Sequence, residues 1–124
     1  MTPAAFLRDY EFSNCVHGLD HTLGLIDDNA IYWFSDGSSY VGKAAIEQVL
    51  RRNFELIEDE DYRISDVVWV AESFDFAACT FHFDWSGTVR GAPASGSGRG
   101  TLVLARKGNS WVVVHEHLSK GPVL

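Results

Sequence analysis

The sequence predicts an α+β fold in which three helices, with a strand pair set between the second and third, precede four antiparallel strands. Three observations carry this reading. Apolar residues recur at helical spacing as far as Ile57, with capping and stop signals at the segment ends. From Tyr62 to Ser119 the pattern changes to alternation among β-branched and aromatic residues. The 124 residues are 46% hydrophobic and 13% aromatic, with 3 prolines and no visible repeat or linker, which suits one domain over residues 1–124.

The first helix runs from Thr2 to about His17. Thr2 caps it, and Pro3 occupies the position where a missing N–H costs nothing. Phe6, Tyr10 and His17 recur on one face, and Gly18 stops the helix. Asp20 caps a short second helix, His21 to Ile26. Ala30 to Phe34 is an aromatic-rich strand, the segment from Ser35 to Ser38 is a turn, and Ser39 to Val41 is the returning strand. The third helix, Lys43 to about Ile57, carries the stripe Ile46, Leu50, Phe54 and Ile57. The acidic run Glu58 to Asp61 reads as a loop, without the ligand spacing or the glycine of an EF-hand.

Four strand candidates complete the chain: Tyr62 to Ala71, Phe74 to Thr88, Gly100 to Lys107 and Trp111 to Ser119, the last two joined at Gly108 and Asn109. The glycine-dense stretch between Ser86 and Gly100 lacks the helix and the Gly-Lys-Ser/Thr of a phosphate loop. It reads as a flexible hairpin connection, or as a mobile lid that brings Arg90 or Arg99 to a ligand.

Composition excludes several function classes. A net charge of −7 and a pI near 5.0 argue against nucleic acid and anionic membrane surfaces as partners. No apolar run approaches the roughly 20 residues of a membrane span. Arg8, Asp9 and Glu11 interrupt any signal-peptide core. Cys15 and Cys79 form no CxxC or zinc pattern and read as reduced thiols of a cytoplasmic protein.

Alternation along the last strand puts Trp111, Val113, His115, His117 and Ser119 on one face, with Val112, Val114, Glu116 and Leu118 on the other. The histidine pair could act as acid and base, could bind a metal with a third ligand such as His82 or Asp84, or could be hydrogen-bonded in a pocket wall or interface. No metal and no cofactor are expected. On the strand before the glycines, Phe81, Phe83 and Trp85 belong to the interior face, which turns His82 and Asp84 outward; a bulge would reverse that and bring Asp84 into a cleft. Tyr32 and Trp33 take opposite faces. Tyr10, Tyr32 and His17 have polar tips that need partners, which suits the edge of a cavity.

The run from Asp27 to Ser38, the opening Gly42-Lys43-Ala44-Ala45-Ile46 of the third helix, Asp75-Phe76-Ala77 and the closing segment Trp111 to Ser119 resemble the SnoaL-like branch of the nuclear transport factor 2-like superfamily. The closing segment is also similar to the end of the association domain of calcium/calmodulin-dependent protein kinase. The resemblance covers nearly the whole chain. It implies a cystatin-like cone, a curved antiparallel sheet wrapped around the three helices with a pocket at the open end. It also implies a homodimer through the outer sheet face. In the kinase domain the pocket is lined by arginines, and the matching positions here are Phe83 and Val103. The function this implies is binding of a small apolar or aromatic molecule, with isomerase-, dehydratase- or cyclase-type proton transfer by His115 or His117. Tyr10, Tyr32, Trp33, Phe81, Phe83, Trp85, Val103 and Trp111 would line the site. The alternative is a non-catalytic binding or assembly module.

Overall fold

A computed structural model describes residues 1–121. Helix α1 spans Pro3–Cys15. Thr2 is its N-cap, its hydroxyl accepting from the Ala5 N–H at 3.1 Å, with Pro3 in the first turn. Helix α2 is Leu19–Gly24, and β1 (Ile26–Trp33) and β2 (Ser39–Val41) form a hairpin across the turn at Asp36 and Gly37. Helix α3, Lys43–Leu56, buries Ile46, Val49 and Leu50. The remaining strands are β3 (Ile57–Glu72), β4 (Phe76–Val89), β5 (Ala92–Lys107) and β6 (Ser110–Lys120).

The six strands form one curved, unclosed sheet in the order β2-β1-β6-β5-β4-β3. Every pairing is antiparallel except β1 with β6, which is parallel and departs from the expected all-antiparallel sheet. The helices cover the concave face. Phe6, Leu7 and Tyr10 of α1 and Ile46 and Leu50 of α3 join Tyr32, Ile64, Cys79, Phe81, Leu102, Leu104 and Val113 in the core. Side chains of α1 also satisfy the edge of β3. The Glu11 carboxylate accepts from the Ile64 N–H, and Cys15 Sγ accepts from the Tyr62 N–H at 3.4 Å.

Two expectations about connections are corrected. The acidic run Glu58 to Asp61 is the beginning of β3, not a loop. The glycine-dense stretch does connect a hairpin, but as paired strand and not as a loop or lid: β4 and β5 pair throughout it, and the chain turns at Arg90 and Gly91. The glycines are there because aromatic rings lie across β5. Gly100, Gly98 and Gly96 stand opposite Phe81, Phe83 and Trp85. A Cβ at Gly98 would come 2.7 Å from Phe83 Cζ and 2.0 Å from the Ser119 carbonyl oxygen. A Cβ at Gly100 would come 2.2 Å from Phe81 Cζ.

Among several register shifts in the sheet, two decide which side chains reach the concave face beside α1 and α3. On β6, Val113 pairs with Leu104 and His115 with Val103, so Val114 is an extra residue. On β3, Asp59 and Glu60 together oppose Gly87, with Asp59 at φ 53°. Each bulge breaks the two-residue alternation and reverses the faces beyond it.

Candidate functional site

The curvature leaves a cavity of about 300 Å³ between the concave sheet face, α1 and α3. Its walls are largely aromatic, with Phe34, Tyr40, Phe54, Tyr62, Phe83 and Trp85, and Leu50 and Leu118 add aliphatic surface. Glu116 is also part of the lining and is only 4% exposed. The Val114 bulge is what aims it there.

Glu116 is the end of a hydrogen-bonded chain. The Tyr10 hydroxyl donates to Glu116 Oε1 at 2.8 Å. The Tyr32 and Tyr10 hydroxyls are also 2.8 Å apart, and since Tyr10 gives its proton to the carboxylate, Tyr32 donates to Tyr10. Removal from water pushes the Glu116 carboxyl up from its usual 4.5 to about 7, against the pull of the Tyr10 hydrogen bond. Burial, and then the Glu116 charge, push Tyr10 and Tyr32 well above the ordinary phenol range. The two phenols therefore stay protonated as donors, while the carboxyl exchanges its proton near neutrality.

Glu60 lines the cavity from β3. Its Oε1 is 2.7 Å from His17 Nε2, and the His17 ring stacks on Phe54 at 4.3 Å between centroids. Burial raises the Glu60 carboxyl above its ordinary value, with His17 opposing.

The residues expected at the site are distributed over three places. Tyr10, Phe83 and Trp85 line the cavity. Tyr32, Phe81 and Trp111 are buried in the core, Tyr32 reaching the site only through the Tyr10 hydroxyl. Trp111 lies toward the chain start, its indole N–H donating to the Met1 carbonyl at 3.0 Å.

His115, His117, Trp33 and Val103 do not face the cavity, which corrects the face assigned to them. Beyond the Val114 bulge, His115 and His117 turn to the outer face of the sheet, and Val103 pairs with His115 there. Trp33, 45% exposed, lies on the same face with its ring edge-on to both imidazoles at 4.9 and 5.2 Å. His115 Nδ1 donates to the Ile31 carbonyl at 2.7 Å. His82 and Asp84 are exposed on the outer face, as alternation along β4 requires. Simple alternation puts Glu116 on the wrong face. The available signal was a carboxylate in an otherwise apolar strand, together with two tyrosines that needed a partner.

The SnoaL-like domain family matches residues 12–123 of the chain. Solved structures share its fold at low identity. A ketosteroid isomerase-like protein from Erwinia carotovora atroseptica is 19% identical at a TM-score of 0.81, covering 97% of this chain and 94% of that one. A nuclear transport factor 2-like superfamily protein from Salmonella enterica is 17% identical at 0.82, covering 96% and 88%. A putative calcium/calmodulin-dependent protein kinase II association domain from Xanthomonas campestris is 14% identical at 0.85, covering 98% and 86%. No curated protein matches the sequence. Among the described residues, no helix is long and apolar enough to cross a membrane.

Proposed function

The chain belongs to the SnoaL-like domain family, and from that premise we propose that it binds a small, flat, apolar or aromatic molecule in the cavity and exchanges a proton with it at Glu116. The observation that carries this reading is a buried carboxyl, hydrogen-bonded to a buried tyrosine, at the floor of an aromatic-walled cavity. A general base works best when it titrates near the working pH, and Glu116 at about 7 meets that condition. Ionised Glu116 would take a proton from a carbon next to a ligand carbonyl, leaving the electron pair as an enolate. Returning the proton to a different carbon completes an isomerisation. Giving it instead to a leaving hydroxyl releases water and completes a dehydration. The ketosteroid isomerase-like neighbour is consistent with the first outcome. The acid/base role expected of His115 and His117 passes to Glu116 in this reading, because both histidines lie on the far side of the sheet.

The test uses 2-tetralone, a two-ring ketone with exchangeable protons beside its carbonyl. In D2O the protein should accelerate exchange of those protons, read by NMR. Glu116→Gln should lower the catalysed rate by about a hundredfold or more, the usual contribution of a positioned acid/base. An equal rate in the variant refutes the assignment.

A second reading rests on the outer sheet face, where Ile31 and Trp33 at one side and Val68 and Phe76 at the other are exposed around a polar middle of His117, Thr101 and Thr80. Exposed large apolar side chains on such a face support a homodimer through the sheet, as an assembly module with or without chemistry in the cavity. The free thiols of Cys15 and Cys79 support a cytoplasmic location.

A further inference from the structure

The Glu60–His17 pair is not used by the proton exchange at Glu116, yet the chain goes to some length to build it. Glu60 has a side chain only 10% exposed, and His17 one 20% exposed. Glu60 faces the cavity because of the Asp59 bulge, and that bulge needs Gly87 opposite it. A Cβ at Gly87 would come 2.8 Å from the Glu58 carbonyl oxygen and 2.8 Å from Ile57 Cγ2. Cys15 holds the same backbone, its thiol donating to the Glu60 carbonyl at 3.6 Å. His17 has φ 57°, in the left-handed region where glycine is preferred and where other residues pay about 1–2 kcal/mol. The conformation is fixed by the Gly18 N–H donating to the Ser13 carbonyl and the Leu19 N–H donating to the His17 carbonyl. Two non-glycine residues in the left-handed region, Asp59 and His17, thus converge on one hydrogen-bonded pair. A side chain kept where glycine would fit better points to a use for that side chain.

The pair also lies far from Glu116 across the cavity. β3 and β6 are three strand spacings apart, roughly 14 Å across the strands, and the two residues are also offset along them, Glu116 in the row of Leu102 and Cys79 and Glu60 opposite Gly87. Between them stand Tyr62 and Phe83, and Tyr62 feels the charge of both carboxyls. The cavity is therefore an aromatic slot with a carboxyl at each side. Two such groups disfavour a ligand carboxylate, while hydroxyl and carbonyl groups suit them.

We propose that Glu60 is a second ligand-binding residue, held in place by His17, and that the ligand is a flat, uncharged molecule with a hydroxyl or carbonyl group at each end, one at Glu116 and Tyr10 and the other at Glu60. The proposal rests on the cavity being a ligand site, as argued above. His17 is a positioning residue: it lies behind Glu60 and Phe54 and fixes the carboxyl from outside the cavity.

The experiment compares 2-naphthol, with one polar end, and 2,6-dihydroxynaphthalene, with two, by fluorescence titration of the full chain. The diol should bind about tenfold tighter, as a hydrogen bond to a carboxylate typically allows. Glu60→Ala should abolish that ratio by lowering diol affinity toward that of 2-naphthol, Glu60→Gln should restore part of it, and His17→Phe, which keeps the stacking on Phe54, should reduce it. A loss of folding alone would weaken both probes together, whereas the ratio reports Glu60. Equal affinity of the two probes for the wild type, or a ratio unaffected by Glu60→Ala, overturns the proposal while the cavity reading stands on its Glu116 dependence. If neither probe binds the wild type at millimolar concentration, the cavity reading fails and this proposal with it.

Discussion

Replacing Glu116 with Gln should make the protein more stable, and the gain should grow with pH. Burial raises the carboxyl from 4.5 to about 7 in the folded state. The folded protein thus holds this proton more tightly than the unfolded chain does. Below 4.5 both states are protonated and the site carries no ionisation penalty. As pH rises through the interval, the unfolded chain ionises first and stability falls. Above about 7 the full penalty is in place. At about 1.4 kcal/mol for each pH unit separating the folded and unfolded midpoints, it comes to about 3.5 kcal/mol. Glutamine keeps an oxygen for the Tyr10 hydroxyl to donate to and removes the titration. The assay is urea unfolding of both proteins near pH 4.5 and near pH 8, followed by tryptophan fluorescence. Other titrating groups, Glu60 among them, are common to both proteins and cancel in the difference. The variant should gain about 3 kcal/mol on the wild type between the two conditions. A difference that stays constant within about 0.5 kcal/mol, or that shrinks as pH rises, refutes the buried carboxyl as described.

Tyr10→Phe removes the hydrogen bond that holds the Glu116 carboxyl down, so its midpoint should move above about 7; carbon NMR of the glutamate side chains reads it, and an unchanged or lower midpoint counts against the network. Gly98→Ala drives a methyl group to 2.0 Å from the Ser119 carbonyl oxygen and into the Phe83 ring, and should cost at least about 3 kcal/mol in thermal or urea unfolding. Gly91→Ala, whose Cβ meets nothing but whose φ is +79°, should cost only about 1 kcal/mol, so equal losses at the two positions would sink the ring-packing argument. Trp33→Glu replaces an exposed aromatic of the outer face with a charge and should convert a sedimenting dimer to monomer; a wild type that is already monomeric at tens of micromolar removes the assembly reading.

Helix positions are legible in the sequence because their signals are local. Thr2 and Pro3 start α1, and the stripe of Ile46 and Leu50 fixes the buried face of α3. The strand faces are harder, for a reason visible in the residues. From Trp111 to Val114 every residue is apolar, so alternation is silent about where the register slips, and the slip at Val114 exchanges Glu116 for the two histidines. Asp59 lies within a run of four acids, where a bulge leaves no hydropathy trace. The glycines mislead because their partners lie on another strand. Gly96, Gly98 and Gly100 repeat at the same spacing as Phe81, Phe83 and Trp85, and folding about Gly91 superposes the two series. The need of Tyr10 and His17 for polar partners is plain from their chemistry, but naming those partners requires contacts with β6 and β3, 106 and 43 residues away.

The Val114 bulge has a consequence for comparing this chain with its relatives. The solved structures that share the fold are less than 20% identical to it. Here an ungapped match to a relative that lacks the extra residue would equate Glu116 with a position on the opposite face. It would set His115 and His117 against that relative's pocket residues. The same numbering step would miscount every position after Val114. A correct correspondence carries a one-residue insertion at Val114, another at Asp59, and allowance for the further shifts of β3 between Ser65 and Val68 and between Trp69 and Ala71, for any relative that lacks them. Catalytic roles copied across the family without those insertions would land on side chains on the opposite face of the sheet.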